Sequence, residues 1–493
     1  MITVLILTPV GLPVLGALTY LVVGWRPVTA LIATGTAAGE LAAAVGIAAV
    51  VGASGPQVAL SGLVRVDALS AFMLLVIGAV GLLATATTPS HLTTEIRAGR
   101  ASSRTAARHS LLAQAFLAAM TAAVLAADLG VLWIAIEATT IITAFLVGQR
   151  RTREAVEAAW KYVVICSTGI ALALLGALLL NYAAQHTPTK PGLDLVGLLG
   201  AAHSLDPAVT RIAVALLVIG FGCKAGLAPL HAWLPDAHSQ APAPVSALMS
   251  GVLLAVAFYA ILRVKLVSDA VLGAGFVRAL LVVMALASLA LAASLLIAQR
   301  DYKRMLAYSS VEHLGLIAIG AAVGSPVAMA AVLLHVLGHG LAKGVLFLGL
   351  GRLSQTAGTS RIEQIRGVAA RQPVLAGCLG FGVLALIGLP PFSIFASELG
   401  IARAGFSAGL GWAIAAALLL AAIAGAALVI HMSRMLLGAP AEGPGTATAA
   451  PRLPGMTAAV LLAGLALSAA LGVSAGPLTD LLHSAAAIAT GTP

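Results

Sequence analysis

Apolar stretches of about 20 residues recur along the whole chain from Ile2 onward, each long enough to cross a hydrocarbon core about 30 Å thick. Inside lipid every backbone amide must find its partner within the protein, so helices or closed barrels are the only spanning solutions. A barrel strand alternates apolar and polar residues, and these runs do not. The chain therefore reads as an all-α polytopic membrane protein. Its composition agrees: 60% of the 493 residues are hydrophobic and 9% are charged, against roughly 25% charged in soluble domains. So little charge cannot cover a water-exposed surface.

About fourteen spans begin near residues 2, 29, 67, 110, 129, 160, 208, 240, 270, 305, 326, 373, 406 and 456. The segment from Met1 to Gly24 lacks a basic leader and is followed by further apolar runs, so a first membrane helix is expected there and not a cleaved signal. The formal charge of +10 would suggest a nucleic-acid partner in a soluble protein. Its distribution says otherwise. Of the 27 Lys and Arg residues, 18 fall on the loops after odd-numbered spans and 7 on the opposite side, with Lys224 and Lys343 inside spans. Basic loops face the cytoplasm, so a prokaryotic plasma-membrane protein with both termini outside the cytoplasm is expected, in contact with lipid and not with nucleic acid. Cys166, Cys223 and Cys378 are isolated within apolar runs, with neither the spacing of an iron–sulfur cluster nor that of a disulfide framework. No cofactor is expected, and the electrons of any associated redox reaction run elsewhere.

Two spans carry helix breakers at membrane depth, GFGCKAGLAPLHAWLP at 220–235 and GLPPFSI at 388–394. They fall in spans seven and twelve. Broken helices in matching places of two halves point to inverted repeats, here spans four to eight and nine to thirteen. The expected organisation is an N-terminal three-helix segment (1–109), a first repeat (110–266), a second repeat (267–437), and a linker with a C-terminal helix (438–493).

Glu137, Lys224, Lys343 and Glu398 lie within apolar spans. A charge at a helix centre costs about 2.5 to 3.5 kcal/mol on insertion scales, so such groups pair, lose their charge or face water, and they mark ion pathways by default. Glu137 stands near the middle of span five; the plainer alternative is a structural acid capped by Thr139 or Thr140. Lys224 sits at the break in span seven between Gly222 and Gly226. Paired with Glu137 it would form a switch, holding its proton while the acid is close and releasing it when the acid withdraws. A static salt bridge would use the same two residues. His335, His339 and Lys343 recur at i, i+4 and i+8 in LLHVLGHGLAKGVLF, which puts them on one helix face. Imidazoles that titrate near neutrality make that face a proton relay; a zinc site is disfavoured, since no Glu lies between the histidines and no third ligand is evident. Glu398 takes in span twelve the position that Lys224 takes in span seven, and is expected to receive the proton there; a polar helix end is the alternative. His231, Asp236 and His238, with Lys161 as a further auxiliary position, form a polar cluster suited either to proton access or to bracing a Pro-rich loop.

Six ordered segments, LWIAIEATT, EAAWKYVVICS, KAGLAPLHAWLPDAHSQAPAPVSALMSG, DYKRMLAYSSVEHLG, HVLGHGLAKGVLF and GLPPFSIFASE, resemble the proton-conducting antiporter-like subunits of respiratory complex I, Mrp antiporters and membrane-bound hydrogenases. The resemblance covers about residues 110 to 400, and QAPAPVSALMSG and EAAWKYVVICS look most like the hydrogenase-4 and formate hydrogenlyase branch. It implies fourteen helices, two inverted five-helix repeats, and a hydrated row formed by Glu137, Lys224, His335, His339, Lys343 and Glu398. It also implies a non-catalytic ion-translocating subunit whose partners are other membrane subunits and soluble redox subunits. A sodium/proton antiporter subunit and a non-conducting membrane anchor are the alternatives. One position departs: Ala255 stands where complex I relatives usually place a central lysine, so water or Tyr259 would have to bridge Lys224 to the histidines. No long lateral helix follows span fourteen, unlike the most distal complex I relative.

Overall fold

The computed structural model describes residues 2–439 and 453–491, so residues 440–452 of the expected linker, Arg452 among them, lie outside the described residues. The chain runs through α1 (Ile2–Val23), α2 (Ile32–Ser54), a hairpin of β1 (Gln57–Ala59) and β2 (Val64–Val66), α3 (Ala68–Arg97), α4 (Ser103–Leu125), α5 (Leu129–Val147) and α6 (Arg153–Gln185). There follow α7 (Leu195–Gly200), α8 (Pro207–Ala225), α9 (Trp233–Gln240), α10 (Ala243–Leu248), α11 (Leu254–Leu272), α12 (Gly275–Ile297), α13 (Tyr302–Val323) and α14 (Pro326–Ala357). The last elements are α15 (Val368–Arg371), α16 (Pro373–Leu386), α17 (Ser393–Ser407), α18 (Gly411–Leu437), α19 (Gly455–Val473) and α20 (Thr479–Thr490). Among the described residues the only sheet is the antiparallel β1–β2 pair, with Gln57 opposite Val66.

Among the described residues thirteen helical segments are long and apolar enough to span a membrane, with α10 and α11 joined into one through a π-helical turn at Met249–Leu253. The broken pair α16 and α17 makes the fourteenth crossing. Helix starts are written locally. Asp67, Ser102, Asp128, Thr152, Asp206, Asp301 and Ser325 each accept a backbone N–H of the following first turn through a side-chain oxygen, satisfying donors that would otherwise be orphaned at the membrane surface.

The helices sort by exposure. The apolar lengths of α13 and of the α10–α11 span are buried, and those of α14 and α3 nearly so. Peripheral helices turn large apolar residues outward, such as Val22, Trp160, Val283 and Leu419. That inversion is what an oily solvent demands: the outer surface is apolar, and the charges retreat inward.

Alternate loops also meet as an even crossing pattern requires. A 350 Å³ cavity is lined by Glu95, Arg100, Arg150, Lys303 and Gln355, from the ends of spans on one side. A 580 Å³ cavity on the other side gathers Arg65, Asp67, Ala126, Leu195, Arg263 and Asp269, together with Ile488 and Gly491 near the C-terminal end. At its floor Arg263 is paired with Asp67 at 2.7 Å. Burial works against the Asp67 charge, but the guanidinium more than offsets it and holds the carboxyl below its ordinary range.

Candidate functional site

Both predicted breaks exist, and each is made by a glycine that takes a left-handed conformation. α8 ends at Ala225, and Gly226 turns the chain at φ +79°. The freed backbone groups find side-chain partners: the Ala228 N–H donates to Ser288 Oγ at 2.9 Å, and Trp233 Nε1 donates to Cys223 O at 3.0 Å. In the second break Gly388 has φ +68° between α16 and α17. Irregular backbone is tolerated at this depth only where protein covers it or water lines it.

Lys224 closes α8 and is fully buried. Its Nζ donates to Thr140 Oγ1 at 2.7 Å and to the Tyr162 hydroxyl at 2.5 Å. Thr140 belongs to α5, one turn beyond Glu137, so the acid and the amine share a neighbourhood without touching. No ion pair joins them, and Glu137 Oε2 is buried without a hydrogen-bond partner among the described residues. The ammonium thus rests on two hydroxyls while the carboxylate it was expected to pair with stands one turn away.

In the second half Lys343 is fully buried on α14, its Nζ donating to Leu306 O at 2.7 Å and to Ser309 Oγ, both on α13. The stripe of His335, His339 and Lys343 lies on one buried face as the spacing required. α13 supplies a third imidazole. His313 Nδ1 lies 3.0 Å from His335 Nε2, and its ring centre is 5.1 Å from that of His339. His335 Nδ1 lies 2.9 Å from Ser397 Oγ, whose own hydroxyl donates to Ile394 O at 2.7 Å. With that proton committed, Ser397 Oγ can only accept, so His335 carries its hydrogen on Nδ1. Its Nε2 then accepts from His313 Nδ1–H. The two rings form a directed pair ending at Ser397 on α17.

Glu398 follows Ser397, and here one expectation fails. Lys224 ends the half-helix before its break, whereas Glu398 lies on the half-helix after its own, so the two are not equivalent in position. A helical side chain leans toward its own N-terminus, and this brings the Glu398 carboxylate back against Gly388, where any larger residue would collide with it. Glu398 therefore reaches the break from the far side. Glu312, on α13 beside His313, is buried within electrostatic reach of both Glu398 and Lys343.

Tyr259 is not a bridge. Its hydroxyl donates to Val124 O at 2.9 Å and lies 3.2 Å from Ser70 Oγ, while Arg263 Nε donates to it at 2.9 Å. This ties it to the Asp67–Arg263 pair and to no residue of the row. Within the π-helical turn, Ser250 Oγ lies 2.8 Å from Ser310 Oγ. Ser310 donates in turn to Leu306 O, the carbonyl that also receives Lys343.

The auxiliary cluster divides. Asp236 is braced by Lys161 at 3.2 Å and Arg304 at 2.7 Å, linking α6, α9 and α13. His238 is buried and stacked on Phe347 of α14, with neither ring nitrogen bonded, and His231 is half-buried with Nδ1 free of partners among the described residues. A second polar group escaped the sequence reading. Arg100 donates two hydrogen bonds to Glu95 at 2.9 Å, and Gln355 Nε2 donates to Glu95 at 2.8 Å and lies 3.0 Å from His91. An acid five residues from a loop arginine, at the end of an apolar run, is its signal.

A membrane-embedded row of acids, amines and imidazoles running between two broken helices defines an ion-pathway protein of the antiporter type. Residues 126–424 match the family described as NADH:quinone oxidoreductase/Mrp antiporter, TM. The chain belongs to that family. It is 38% identical over 344 residues to the hydrogenase-4 component F homolog of Methylacidiphilum infernorum (isolate V4), covering 69% of this chain and 72% of that one. It is 37% identical over 319 residues to NADH-quinone oxidoreductase subunit N of Desulforudis audaxviator (strain MP104C), covering 64% of this chain and 61% of the relative. Its fold is similar to a chain of the membrane-bound sulfane sulfur reductase, an archaeal respiratory membrane complex, with a TM-score of 0.87 and 25% identity over 99% of this chain and 98% of the other.

Proposed function

We propose that this chain carries protons across the membrane as the antiporter-like subunit of a redox-driven complex, of the membrane-bound hydrogenase or complex I-like kind. Relatives from hydrogenase-4 and NADH-quinone oxidoreductase support that setting. Its partners are then other membrane subunits and soluble redox subunits, and its home is a prokaryotic plasma membrane with both termini outside the cytoplasm. Residues 110–266 and 267–437 act as two inverted repeats around one shared row.

The observation that carries this reading is the directed pair of buried imidazoles, His313 to His335 to Ser397, set on the helices that also carry Lys343 and Glu398. A proton held on Lys224 is released when its hydroxyl partners exchange or when Glu137 changes distance. The Ser250–Ser310 pair offers polar groups where Ala255 has none, and it lies beside Lys343 because Ser310 and Lys343 both donate to Leu306 O. An extra proton on His313 moves from its Nδ1 to His335 Nε2, and the hydrogen on His335 Nδ1 points on toward Ser397. Between His313 and Ser397 the charge stays within oriented partners, which lowers the cost of buried transfer in a low-dielectric interior.

The test uses the intact complex in sealed vesicles, given its redox donor in sodium-free buffer. Acid uptake that tracks electron flow is the expected result. A ΔpH change that requires sodium and no donor would assign sodium/proton exchange instead, and redox turnover with no ΔpH would make the chain an anchor.

A further inference from the structure

Glu40 stands outside the row and outside the residues matched by the family. It lies on α2, about 12 Å along a helix about 34 Å long at 1.5 Å per residue, and none of its surface is exposed. The Thr121 hydroxyl of α4 donates to Oε1 at 2.7 Å. Oε2 is equally buried and has no partner among the described residues.

The elements packed around it offer no counter-charge at that depth. α1 and α2 contain no Lys or Arg, and their titratable groups are Tyr20 and Glu40 itself. The charged and titratable groups of α3 (His91, Glu95, Arg97) and of α4 (Arg104, Arg108, His109) cluster at the ends facing the basic loops. On α20 they are Asp480 and His483, at the opposite surface. A buried carboxylate needs compensation, and here only a small cation arriving from outside can give it, the proton being the smallest.

Polar side chains stand between Glu40 and the basic loops. One helical turn nearer the basic loops, Thr36 Oγ1 donates to Gln114 Oε1 at 3.0 Å, and Gln114 Nε2 donates to Ala33 O. Gly16 of α1 makes this pair possible, since a side chain there would run into both Gln114 and Thr36. Below it the Tyr20 hydroxyl accepts from the Ala33 N–H and donates to Thr29 O, and His109, buried with Nε2 unpartnered, meets Gln149 at 2.9 Å. Beyond Glu40, residues 41–51 of α2 carry no polar side chain.

We propose that Glu40 is a proton-binding site loaded and unloaded from the basic face through the Gln114–Thr36 pair, a store beside the main row and not a second channel. A membrane-permeant carbodiimide, which reacts with protonated carboxyls in apolar surroundings, tests it on the intact complex. Peptide mass spectrometry should find an adduct on Glu40 that falls at least tenfold as pH is raised. Infrared difference spectra after a pH jump should show a protonated-carboxyl band that Glu40→Gln removes and that Gln114→Leu slows at least tenfold. Absence of the adduct on the unmodified chain, an adduct indifferent to pH, or a band rate unchanged in Gln114→Leu would each overturn the proposal.

Discussion

At the scale of single residues, the buried charges are held by neutral oxygens as often as by opposite charges. Lys224 and Lys343 rest on hydroxyls and a carbonyl, whereas Arg263 and Lys265 have carboxylate partners, Asp67 at 2.7 Å and Asp269 at 2.5 Å. A lysine on hydroxyls can give up its proton without stranding a counter-ion, and an Arg–Asp pair cannot. Asp67–Arg263 is therefore structural, and its contribution follows the sign of a lowered carboxyl: present above the ordinary Asp value of about 3.9 and lost as pH falls through the depressed one. Thermal unfolding in detergent should show the Asp67→Asn variant less stable at neutral pH, with the gap narrowing below about pH 4. A gap constant down to acid pH would count against it. Ser397→Ala removes the acceptor that fixes the His335 tautomer; nitrogen NMR of labelled histidine should then show loss of the single Nδ1–H form, and proton uptake should slow severalfold with redox turnover retained.

At the scale of elements, the two breaks show what a sequence can and cannot disclose. Gly and Pro inside apolar runs announced both, and the i, i+4, i+8 spacing placed His335, His339 and Lys343 on one face. Contacts between helices were not legible. His313 sits beside Glu312 in a motif quoted for its resemblance, yet its role depends on α13 lying against α14. Glu398 was given the place of Lys224 because the motifs match, although the half-helices on which they sit differ. Glu40 is legible by the rule that singles out Glu137, an acid at membrane depth, while its lone Thr121 partner shows only in the packed bundle. The breaks also make stability claims. Gly226→Ala puts a side chain into a left-handed turn, at roughly 1 to 2 kcal/mol, and against Leu234, so a lower unfolding midpoint is expected. Asp236→Asn loosens two partly exposed ion pairs worth less than about 1 kcal/mol each, and its midpoint should shift little.

At the scale of the whole molecule, the proposed crossing pattern sets the basic loops and the chain ends on opposite faces, and two charged cavities are lined by the ends of alternate spans. Single cysteines at Gly358 and Gly491, in a chain freed of its three buried native cysteines, should label with an impermeant maleimide from opposite sides of sealed vesicles. Labelling of both from one side would contradict the crossing pattern. The row between those faces belongs to no single helix, so it exists only in the packed bundle. Redox-driven acid uptake by vesicles holding the complex with Lys343→Ala tests it most directly. Electron flow should continue while proton uptake per electron falls to the level of the remaining subunits, and uptake equal to that of the unaltered complex would contradict conduction along this row.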